Sequence, residues 1–163
     1  METSYEEYYK KQLEAGLRYQ DFIVKKFLQK GIVLIPFSSR EYQYKEGETT
    51  GKLVEIKFDG KFKTTKNLWI EFGERSNPTV QMYSESGIFR DSIWYLIGDY
   101  NEAFVFHTKV LLNELSKRTV IENSTKTSKG YLLKRWEAQQ LCSIHCRHKD
   151  HELKLTFMRR FFW

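Results

Sequence analysis

Residues 53–63 read LVEIKFDGKFK, and their alternation constrains the fold more than any other stretch of the chain. A β-strand sends successive side chains to opposite faces. Val54, Ile56 and Phe58 then share one face, and Glu55, Lys57 and Asp59 share the other with Leu53. The apolar face must be covered by another layer, so the stretch predicts a sheet with something packed on it. The polar row has two readings. It is a solvated surface with cross-strand ion pairs, or it is a metal site with a lysine beside it.

The flanking segments suggest what surrounds that strand. Residues 5–30 place Tyr9, Leu13, Leu17, Phe22 or Ile23, and Phe27 or Leu28 at roughly helical spacing, with an interruption at Gly16 and a stop at Gly31. IVLIPF (32–37) predicts a short strand. NLWIEF (67–72) predicts a partner for 52–59 in a hairpin, with a turn at Asp59-Gly60. SIWYLIGD (92–99) and NEAFVF (101–106) predict a second hairpin. A helix is expected over 107–117, capped near His107 or Thr108, and another over 132–146. Short strands are expected at 119–122 and 151–158. Helix, strands, helix, strand and helix in that order predict one α/β domain over residues 1–163, with a central mixed sheet flanked by helices.

At 163 residues the chain suits one domain with a real core. Twelve Phe, ten Tyr and four Trp supply that core and leave rings over for stacking or an interface. The net charge of +6 is only moderately basic, but it is unevenly spread. Lys109, Lys117, Arg118, Lys126, Lys129, Lys134 and Arg135 face only Glu114 and Glu122 in their stretch. That asymmetry fits a phosphate-facing side as well as a mixed, solvated surface. METSYEEYYKK lacks a basic start followed by an apolar run, and no segment reaches membrane-span length. Cys142 and Cys146 are then expected as free thiols in the cytoplasm.

Carboxylates gather around the opening stretch. Glu46 and Glu48 lie upstream, where a turn near Thr49 to Gly51 brings Glu48 toward Glu55. The proposed hairpin would add Glu71 to the face that holds Glu55, Lys57 and Asp59. Oxygen ligands of this kind suit Mg²⁺ or Mn²⁺. Lys57 stands about 7 Å along the strand from Glu55, close enough to share a phosphate with a metal held there.

Glu55-Ile56-Lys57, an acid-x-Lys on an apolar strand with an acid upstream, resembles the PD-(D/E)XK nucleases, the restriction-endonuclease-like superfamily. Gly16-Leu-Arg-Tyr-Gln20-Asp21-Phe-Ile, then Leu28 and Lys30-Gly31-Ile32, is similar to the first helix of its Holliday-junction-resolvase-like members. The likeness spans roughly residues 14–72. It implies a restriction-endonuclease-like fold and Mg²⁺-dependent hydrolysis of DNA phosphodiesters. By the same resemblance Glu48 and Glu55 hold the metal, Lys57 positions the attacking water, and Gln20 or Asp21 supports them from the first helix. The first ligand is Glu46, Glu48 or Asp59. A second phase of the motif uses Asp59 and Glu71. Lys61, Lys63, Lys66 and Arg75 beside the site are expected to hold the DNA backbone. Small members of the group often work as homodimers, and the size suits a phage or mobile-element protein. The same fold without its metal site would be a DNA- or protein-binding module.

Three other features carry residue types with chemistry. Cys142, His145, Cys146, His148 and His151 are zinc-ligand types, yet they form one short run and not two separated pairs. A buried cysteine pair with nearby histidines explains them as well. FMRRFFW (157–163) combines rings and arginines, which suits a docked tail or base stacking. Asp99, ending the apolar run 92–98, is a turn acid or a site acid.

Overall fold

The computed structural model describes residues 5–34, 54–89, 92–149 and 152–158. In chain order the elements are α1 (Tyr5–Leu28), β1 (Val54–Phe58), α2 (Phe62–Thr65), β2 (Asn67–Glu74), β3 (Ser84–Glu85) and a 3-10 turn (Gly87–Phe89). Then follow β4 (Trp94–Gly98), β5 (Glu102–His107), α3 (Thr108–Leu115), β6 (Ile121–Glu122), β7 (Ser128–Lys134), α4 (Arg135–Leu141), β8 (Ile144–Lys149) and β9 (Glu152–Phe157).

The strands form two sheets. The first has the order β1-β4-β5-β8-β9, with β1 parallel to β4 and the remaining pairs antiparallel. The second has the order β3-β2-β7-β6 and is antiparallel throughout. α1 covers one face of the first sheet, burying Tyr19, Ile23 and Phe27 against Ile56, Leu96, Val105 and Leu153. The second sheet covers the other face, where Leu68, Ile70, Tyr131 and Leu133 join Tyr95, Ile97, Phe104 and Phe106. A strand covered on both faces loses its alternation. That is why Tyr95, Leu96 and Ile97 are all buried in succession.

The mixed α/β class holds, but the single central sheet does not, because a second sheet takes the place of a helical layer. The hairpin expected between 52–59 and 67–72 is absent. β1 pairs with β4, and β2 pairs with β7 and β3. The short helix α2 diverts the chain between the sheets and ends at Lys66, whose φ of 56° is left-handed. The hairpin of 92–99 and 101–106 forms as expected, as β4 and β5. Asp99 closes it by accepting hydrogen bonds from the N–H groups of Asn101 and Glu102 at 2.7 and 2.9 Å. It is a turn acid.

α1 runs unbroken through Gly16 and stops before Gly31 at φ +74°. α3 is capped by His107, whose Nδ1 accepts from the Lys109 N–H at 3.3 Å. Residues 32–34 are not strand, and 35–37 lie outside the described residues. The helix expected over 132–146 is confined to α4. Its first three residues belong to β7 and its last three to β8. The two last short strands form as β6 and β9.

Candidate active site

β1 delivers the alternation that its sequence demands. Val54, Ile56 and Phe58 pack toward α1. Glu55 and Lys57 point the other way, toward the second sheet, and Lys57 Nζ lies 3.2 Å from Glu55 Oε1. The side chains are 20% exposed for Glu55 and 30% for Lys57, so the pair is accessible but partly shielded. In the parallel register Glu55 stands beside Tyr95, and Lys57 beside Ile97.

Tyr95 is fully buried, and its hydroxyl has no protein partner among the described residues. Burial raises its pKa well above the ordinary phenol value, and the charges of Glu55, Glu71 and Asp59 add to the rise. Their charges act on it across a parallel β1–β4 pair and a second sheet rather than across a hairpin.

The acids differ in what they are free to do. Asp59 spends its carboxylate on the backbone. Its Oδ1 accepts from the N–H groups of Lys61 and Phe62, both at 3.1 Å, and its Oδ2 from that of Trp69 at 2.8 Å. Burial raises its pKa against these hydrogen bonds, which lower it. The residue joins the end of β1 to α2 and β2. The residue expected as a metal ligand or catalytic acid thus has a fold-organising role in these three bonds. Glu71 Oε1 accepts from Ser86 Oγ at 2.9 Å, which ties β2 to the segment before the 3-10 turn. Glu46 and Glu48 lie outside the described residues.

Gln20 and Asp21 sit on α1, and α1 packs on the face opposite Glu55 and Lys57. Gln20 is half-buried and Asp21 exposed. The support expected from the first helix is thus placed on the wrong side of the sheet, because Tyr19 and Ile23 turn that stretch of helix toward Ile56.

The expected phosphate contacts divide. Lys61, Lys63 and Lys66 are exposed around α2. Arg75 is not a free cation. Its Nε and Nη1 donate to the carbonyls of Lys126 and Val80 at 2.6 and 2.8 Å, and its guanidinium lies over the Tyr83 ring at 4.4 Å. It braces a loop, and its role as a DNA contact is corrected accordingly.

The cysteine and histidine run does not converge. Cys142 belongs to the core between the sheets, and Cys146 to the core under α1. Both are free, and burial pushes both thiols up to about 12. His151 lies outside the described residues. Among the described residues no group of three or more His, Cys, Asp or Glu side chains is arranged to hold a metal ion.

One cluster had no signal in the sequence. Glu102 receives Arg135 through both carboxylate oxygens, at 2.7 and 2.8 Å, and His145 Nε2 at 2.5 Å. His145 stacks on Phe104 with ring centres 4.8 Å apart and planes 6° apart. Burial raises the Glu102 carboxyl, but the hydrogen bonds from His145 and Arg135 outweigh it and hold the group at about 2. The partners are 33 and 43 residues away in sequence, so only the folded sheet reveals them.

Comparison with known proteins gives no matching family model, no matching curated protein and no matching solved structure.

Proposed function

We propose that the chain is a metal-dependent DNA endonuclease centred on Glu55 and Lys57. The observation that carries this reading is the pair itself. A carboxylate and an ammonium lie 3.2 Å apart on one face of β1, partly exposed. Beside them is a buried phenol with no protein partner among the described residues. A carboxylate in such surroundings is a suitable oxygen donor for Mg²⁺ or Mn²⁺. Glu48 would be the second donor, because Asp59 already accepts three backbone N–H groups. When bound, the ion supplies a Lewis acid and a more acidic water. Lys57 would orient the attacking water and offset negative charge on the phosphoryl oxygens. Lys61, Lys63 and Lys66 would hold the DNA backbone without choosing a sequence.

A second reading follows from Asp59 and Arg75, two expected site residues that serve the fold. The exposed lysines around α2 would then bind nucleic acid without cutting it. Calorimetric titration with Mg²⁺ and Mn²⁺, run beside plasmid and branched-DNA cleavage, separates the two. The nuclease reading expects metal binding and cutting to vanish together in the double variant Glu55→Ala, Lys57→Ala, and cutting to fall at least about 100-fold in Lys57→Ala alone. Salt-dependent DNA binding with neither metal binding nor cutting in the native sequence would establish the binding module.

A further inference from the structure

The second sheet has an outer face that the nuclease reading leaves unused. Leu68, Ile70, Tyr131 and Leu133 point at the first sheet. The alternate residues point away, and the register sets Trp69 beside Leu132 and Asn67 beside Lys134. Leu132 is 45% exposed and Trp69 and Asn67 are partly exposed, so this face is open at Leu132. Trp69 does not stand up from it. A Cβ placed at Gly130 would come within 2.8 Å of the Trp69 ring, so the indole lies over bare backbone. At the end of β7 the Arg135 N–H donates to the Lys66 carbonyl at 2.9 Å, which brings the start of α4 alongside Lys66. The next residue, Trp136, is 56% exposed.

Charge decides what such a face receives. Lys66 and Lys134 are exposed at its edge, and Lys61 and Lys63 are exposed at the start of and on the neighbouring α2. The acids close by are already engaged, Glu71 with the Ser86 hydroxyl among them. Glu137 takes Arg118 and the Lys134 N–H, and Glu102 takes Arg135. An apolar protein partner gains nothing from the lysines, whereas a polyanion with flat rings uses both features. Duplex DNA keeps its bases inside and would meet only the cations.

We propose that this face is a platform for the unpaired bases of a single nucleic-acid strand. Trp136 and Trp69 stack the bases, and Lys66 and Lys134 hold the phosphates. The inference shares with the proposed function the premise that the partner is nucleic acid, and the cation Lys66. It requires no metal and no cleavage.

The test is fluorescence anisotropy with a labelled single strand and a duplex of matched length, in EDTA, at low and high salt. The native sequence binds the single strand more tightly than the duplex. Trp136→Ala weakens single-strand binding on the order of tenfold and leaves duplex binding unchanged. Trp136→Phe restores most of the loss, and Lys134→Ala weakens both ligands while flattening the salt dependence. Trp136 is exposed, so an unchanged melting midpoint in Trp136→Ala accompanies these results. Equal weakening of both ligands by Trp136→Ala, or no weakening of either, overturns the platform. So does a homodimer of the native chain that Trp136→Ala dissolves in sedimentation, because the face would then be a self-association surface. A protein that binds strands in EDTA but never cuts refutes the nuclease alone. One that cuts, with Trp136→Ala blind to strandedness, refutes the platform alone.

Discussion

Glu55 and Tyr95 are register partners across the parallel β1–β4 pair, so the acid of the candidate site stands beside a fully buried phenol. The hydroxyl has no protein partner among the described residues, and the charges of Glu55, Glu71 and Asp59 all reach it.

An unpaired buried hydroxyl costs stability, so removing it is cheap. Tyr95→Phe deletes that one oxygen and keeps the ring that fills the core between the sheets. The variant should be as stable as the native protein or more stable by about 1 kcal/mol. Urea unfolding at neutral pH measures it. A loss of more than about 1 kcal/mol would show that the hydroxyl is satisfied by an ordered water bridging it to the carboxylates.

The Glu102 network predicts a pH dependence with a definite sign. The folded carboxyl is held at about 2, below its ordinary value of 4.5. The stabilisation is therefore complete above the unfolded value and is lost as pH falls from about 4.5 toward 2. Each tenfold change in proton affinity on folding is worth about 1.4 kcal/mol, about 3.5 kcal/mol for the whole shift, and solvent screening at the partly exposed Arg135 reduces this to the order of 2–3 kcal/mol. Unfolding free energies measured between pH 6 and pH 3 should fall for the native sequence. In Glu102→Gln the network's share of that slope disappears, and the variant starts lower at neutral pH because Arg135 and His145 lose their carboxylate. Parallel slopes in the two proteins would contradict the assignment.

The cysteines give a chemical test of the fold. Cys142 and Cys146 face different cores, on opposite sides of the first sheet, and both thiols are pushed up to about 12. Thiolate is the reactive form, so native protein should resist iodoacetamide and a thiol-reactive chromophore at neutral pH. Both residues should label stoichiometrically in denaturant. Rapid labelling of the folded protein, or tight zinc binding lost in Cys142→Ser, would show that the run of Cys and His converges after all.

Local signals were legible in the chain, and long-range ones were not. The Val54, Ile56, Phe58 alternation set the facing of β1, and Gly31 and His107 marked helix boundaries where they occur. The β4–β5 hairpin followed from two apolar runs on either side of a turn. Parallel pairing of β1 with β4 left no such mark, because a long stretch of chain intervenes and parallel strands share no turn. The same reason hid Tyr95 and the Glu102 network. Asp59 misled because a carboxylate that organises a turn and one that holds a metal read alike in sequence. Only its three N–H donors tell them apart. The helix expected over 132–146 was too long because it ran a short helix together with parts of two strands, where the period of each piece is too brief to resolve.

Gly87 tests whether the Glu71 side of the site is rigid. Its φ is +56°, in the left-handed region, and a Cβ built on it would lie 2.0 Å from the Glu71 carbonyl oxygen. The obstacle is backbone, which cannot swing away as a side chain can. Ser86, the preceding residue, donates to the Glu71 carboxylate and also sends its N–H to the Phe72 carbonyl at 3.1 Å. Gly87→Ala must therefore push the 3-10 turn off β2 and strain both bonds. The expected cost is about 2–4 kcal/mol, from the left-handed backbone and the clash together. Ser86→Ala removes one hydrogen bond without the clash and should cost about 1 kcal/mol. Urea unfolding of both variants checks the order. If Gly87→Ala proves no worse than Ser86→Ala, the turn is pliant, and Glu71 is held by its one hydrogen bond rather than by the backbone packed against it.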